Sequence, residues 1–69
     1  MKKFIIKTLD KLDVQEAERL GMEKIDMFHY YATISQFNKF FKTNISEEEA
    51  ISIYDNTDCK GFLLFELVR

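Results

Sequence analysis

Residues 26–43, DMFHYYATISQFNKFFKT, decide the fold, because they hold most of the chain's aromatic residues and the flanking segments must be arranged around them. Wound at roughly 100° per residue, the stretch places Met27, Tyr30, Tyr31, Ile34, Phe37 and Phe41 on one broad stripe. His29, Thr33, Gln36 and Thr43 fall on the opposite side. Phe40 lies among these polar residues, and Phe28 stands off the stripe on another flank. The spacing predicts a central helix with Asp26 as its N-cap. A strand over 25–32 is the competing assignment, since Tyr, Phe and Ile are good strand formers. Neither alternate set there is cleanly polar, whereas the helical stripe continues through Phe41.

Working outward, residues 3–9, KFIIKTL, read as a short strand with Phe4, Ile6 and Thr8 facing one way. Lys3, Ile5, Lys7 and Leu9 face the other. Asp13 and Glu16 then offer a capping box, with Leu12 and Ala17 as its hydrophobic staple. Val14, Ala17 and Leu20 form a narrow apolar stripe, and Gly21 supplies the left-handed residue that ends the helix. On the far side, Ser46 and Glu49 make a second capping box, with Ile45 and Ala50 as staple. Glu47, Glu48 and Glu49 suit the positive end of a helix dipole. Residues 55–61 read as a turn-rich loop. Residues 62–68, FLLFELV, are the strongest strand signal in the chain.

The expectation is therefore a single α+β domain over residues 1–69, in the order β-α-α-α-β, with a two-stranded sheet made by the chain termini. The alternative order, β-α-α-β-β, makes residues 51–54 one arm of a hairpin. At 69 residues the chain buries only about 60% of its unfolded surface. Its seven Phe and three Tyr must supply much of the core. Two strands and three short helices shelter so many rings with difficulty, which points to a homodimer.

Formal charge is −2, and the last third is acidic, so clustered phosphate contacts are not the first expectation. Cys59 is the only cysteine, which rules out an internal disulfide and a cysteine-rich metal site. No run approaches 18 consecutive apolar residues, so no membrane partner is expected, and a cytoplasmic location is the default. His29 and Thr33 lack the third group that nucleophilic catalysis needs. Asp55, Asn56 and Asp58 miss calcium-loop spacing, because Thr57, Cys59 and Lys60 occupy positions three, five and six. Lys60 and Asp58 pull the Cys59 thiol in opposite directions. No cofactor, metal site or catalytic residue is expected, and the chain reads as a non-enzyme.

The leading function is a small regulatory or protein-binding domain that self-associates. Phe28, Phe40 and Gln36 are the expected contact residues, because aromatic anchors concentrate at interface centres. The alternative is a nucleic-acid-binding module in which Lys39, Lys42 and Phe40 contact backbone and bases.

Overall fold

The computed structural model describes residues 2–68. Eight short elements follow one another: strand β1 (Phe4–Lys7), helix α1 (Lys11–Arg19), strand β2 (Glu23–Lys24), strand β3 (His29–Ala32), helix α2 (Ile34–Phe41), helix α3 (Glu47–Asp55), a 3₁₀ turn (Lys60–Phe62) and strand β4 (Phe65–Leu67). The strands form one antiparallel sheet in the order β2-β3-β1-β4. The α+β class stands. The two-stranded terminal sheet does not, and neither do the order β-α-α-α-β and its alternative.

The correction begins inside residues 26–43, which are a turn, a strand and a shorter helix. Tyr30 and Ala32 are buried while His29 and Tyr31 face outward, a period of two. Thr33 then leaves the strand with extended backbone and caps α2, its hydroxyl accepting from the Gln36 N–H. The Gln36 side chain accepts from the Thr33 N–H at 3.0 Å, completing a capping box. The aromatic stripe misleads because strand and helix bury their residues against the same core, so their spacings join into one pattern. Asp26 does not cap a helix. Its Oδ1 accepts from the N–H groups of Phe28 (2.8 Å) and His29 (2.9 Å), closing the β2–β3 turn.

α1 starts three residues earlier than its expected box. Asp10 is the N-cap and accepts from the Asp13 N–H, while Asp13 accepts from the Leu9 N–H at 2.8 Å. Gly21 does adopt the left-handed conformation, with φ 78°. In α3 both halves of the Ser46 and Glu49 box are present, and residues 51–54 are helical. The strand expected over 62–68 shortens to Phe65–Leu67, because Phe62 and Leu63 donate back to Cys59 and Lys60 in the 3₁₀ turn.

Phe4, Ile6, Tyr30, Ala32 and Phe65 form the inner face of the sheet, and Ala17, Phe37 and Ala50 bring one helix each into the same core. The small side chains of Ala17 and Ala50 allow close approach. Phe37 is the hub: its ring lies 5.2 Å from Phe4, 4.7 Å from Phe41 and 4.9 Å from Phe65, the last pair perpendicular. Such tilted and edge-on pairs are the favoured arrangements. Tyr30 is almost fully buried, and its hydroxyl has no partner among the described residues. Leaving such a group unsatisfied costs about 1–3 kcal/mol.

The other face of the sheet is open and charged. Lys7 pairs with Glu66 at 3.6 Å and Lys3 with Glu23 at 3.8 Å. The Lys3 ammonium also stands 5.6 Å above the Tyr31 ring.

Candidate interaction surfaces

Large apolar side chains line two recesses, while Phe62, 88% exposed, lines neither. The first lies at the end of the sheet where β1 runs into α1 and the β2–β3 turn folds beside it. The Thr8 N–H and hydroxyl both donate to the Phe28 carbonyl, at 2.7 and 2.9 Å, which ties the turn to β1. Around this joint Leu9 and Met27 are each 70% exposed and Phe28 60%. Together with Val14 and Thr8 they line a recess of about 270 Å³, with Asp10 and Lys11 also in its wall. Leu12, 73% exposed, follows on the first turn of α1.

These residues are outside for local reasons. Strand alternation sends Thr8 inward and leaves Leu9 at the corner, where its backbone is held by Asp13. Asp26 fixes the turn that presents Met27 and Phe28. That carboxyl is held below the ordinary aspartate range, chiefly by the Phe28 N–H and then by the His29 ring, whose Nδ1 lies 2.9 Å away.

The second place is a groove of about 390 Å³ between α2, α3 and the approach to β4. Phe37, Phe41, Ile45, Ile53, Leu64 and Phe65 line it, with Thr43. Asn38 anchors its rim by donating to the Ile45 carbonyl (2.9 Å) and accepting from the Ile45 N–H (3.1 Å).

Of the residues expected from sequence as a contact group, Gln36 and Phe40 lie one turn apart on α2, while Phe28 belongs to the β2–β3 turn. Phe28 lines the recess. Gln36 is half-buried and engaged twice, in the Thr33 cap and in a 3.1 Å bond to the Leu20 carbonyl. Phe40 is half-buried, packs against the core and meets the Phe41 ring edge-on at 5.0 Å. Lys39 and Lys42 are exposed, and Lys42 takes the left-handed cap of α2. Arg19 holds the Glu16 carboxyl below its ordinary value, and Lys42 adds to the same pull.

His29 belongs to a strand and Thr33 to a cap, so they are not one helical turn apart. No cluster of three metal-ligating side chains occurs among the described residues, and Cys59 is free and exposed. Sequence reasoning passed over Leu9 and Met27. Leu9 carried a signal, since alternation already set it on the face of Lys3 and Lys7. Met27 carried none, because the assumed helix placed it in the core.

Compared with family models, with curated proteins and with solved structures, the chain gives no significant match. No helix among the described residues is long and apolar enough to cross a membrane.

Proposed function

We propose that this protein is a non-enzymatic protein-binding domain that acts by contact, as a regulatory or accessory partner, through the apolar end formed by Leu9, Leu12, Met27 and Phe28. Its working compartment in this reading is the cytoplasm. One observation carries the proposal. Three large apolar side chains, each at least 60% exposed, surround a single recess held in place by backbone hydrogen bonds. Burying each would contribute about 1.5–3 kcal/mol. Met27 suits such a surface, since its flexible thioether adapts to differently shaped partners. The partner surface is accordingly apolar, with a protruding aliphatic or aromatic side chain.

Nucleic-acid binding has less support. Lys3 and Lys7 are paired with Glu23 and Glu66, so these two add little to a basic patch around Lys39 and Lys42.

A photo-crosslinking residue at position 28, with another at the exposed position 48 on α3 as control, tests the proposal in cells. The expected result is a discrete protein adduct from position 28 that disappears when Leu9→Asp is added. The same adducts from both positions, or none from position 28, would overturn it.

A further inference from the structure

The hydrogen bonding of β4 divides its backbone into two sets. The Lys7 N–H donates to the Leu64 carbonyl at 3.0 Å, and the Val68 N–H donates to the Lys3 carbonyl at 3.2 Å. With Glu66 opposite Ile5, residues 64, 66 and 68 therefore turn their main chain towards β1. The N–H and C=O groups of Phe65 and Leu67 point the other way. No strand lies there, because β4 is last in the sheet order. They have no hydrogen-bond partner among the described residues.

The two edges of the sheet differ in chemistry. The β2 edge is two residues long and carries the exposed charges of Glu23 and Lys24, a usual guard against edge pairing. The β4 edge has no lysine and no proline. Its one charge, Glu66, is on the open face and paired with Lys7. Apolar side chains flank it, with Leu64 in the wall of the groove and Phe62 and Val68 exposed nearby.

We propose that the occupant of this edge is a second copy of the chain, paired antiparallel through β4 about a two-fold axis at Phe65. A second copy presents the same outward donors and acceptors, and the register centred on Phe65 uses all of them but the Leu67 carbonyl. Phe65 exchanges both of its bonds with Phe65 of the other copy. Each Leu67 N–H donates to a Leu63 carbonyl, which suits Leu63 because its own N–H is already given to Lys60 at 3.2 Å. Leu63 then stands opposite Leu67, Leu64 opposite Glu66, and Phe62 comes to the end where Val68 is exposed. Shifting the register to set Phe65 opposite Leu67 would place Glu66 against Glu66, a repulsive pair. The result joins two four-stranded sheets into one and leaves the Phe28 recess, which belongs to β1, α1 and the β2–β3 turn, outside the contact.

The test is sedimentation equilibrium of the synthetic full chain across the micromolar range, with and without an N-methyl group on Leu67. That group removes one outward donor, while the side chain and the ladder to β1 are kept. The expected result is a dimer whose dissociation constant rises about tenfold or more on methylation, with unchanged circular dichroism and no response to Phe28→Asp. A monomer throughout, a ladder of larger species, or a dimer indifferent to methylation would overturn the proposal. Dissociation by Phe28→Asp would move the contact to the recess and would equally overturn it. Because the recess reading is tested by crosslinking at position 28, either proposal can fail alone.

Discussion

Phe37 and Phe40 lie three positions apart on α2 and have different duties. Phe37 is 3% exposed and touches Phe4, Phe41 and Phe65, so Phe37→Ala should cost about 3–5 kcal/mol. A domain of this size has little more than that to lose. Phe40 is half-buried with one ring partner, and Phe40→Ala should cost about 2 kcal/mol, leaving a folded but less stable chain. Thermal melts followed by circular dichroism check the order. Equal losses would mean that the two rings share the core evenly. The sequence already separated the two, with Phe37 on the apolar stripe and Phe40 off it, but a helix begun at Asp26 sets Phe40 among His29, Thr33 and Gln36 and away from the core. Once the first of these is in a strand and the second is a cap, Phe40 belongs beside Phe41.

At the scale of elements, the Ser46 cap was readable, whereas Asp13 and Asp26 misplaced the starts of the other two helices. Ser46 and Glu49 announce α3 because both partners of that box lie within one turn of each other. Thr33 and Gln36 carry the same signal, but the aromatic stripe running across them masks it. β2 has nothing local to reveal it: Glu23 and Lys24 are charged and exposed, and only their pairing with Tyr31 and Tyr30 makes them a strand. The β2–β3 turn depends instead on one carboxylate. Asp26 is bound more favourably as the anion, so its pKa is lower in the folded chain than the ordinary value of 3.8. Such a group supports the fold fully at pH above that value and loses its contribution as pH falls through the lowered one. The amide resonances of Phe28 and His29 should therefore move together during acid titration below about pH 4. In Asp26→Asn this shared movement should vanish, since the amide oxygen still accepts but does not titrate. Persistence of the same titration in that variant would assign it to another group.

For the whole molecule, the position of β1 has a kinetic consequence. β1 is paired on both sides, with β3 reached after α1 and with β4 reached only after both other helices. Bringing Phe4 to Ala32 closes a loop of moderate length, whereas bringing it to Leu67 closes nearly the whole described chain. Longer closure costs more entropy before any contact rewards it. Assembly should thus proceed through a β1–α1–β3–α2 nucleus, with β4 added downhill of the main barrier. Leu67→Ala should speed unfolding and leave the folding rate nearly unchanged, while Ala32→Gly should slow folding. Chevron plots of the two variants decide the matter, and a slowed folding arm for Leu67→Ala would reverse the order. If β4 is the last strand to arrive, it is also the first to leave. The native chain would then open by peeling along the side of β1 that faces β4, well before the pairing with β3 gives way.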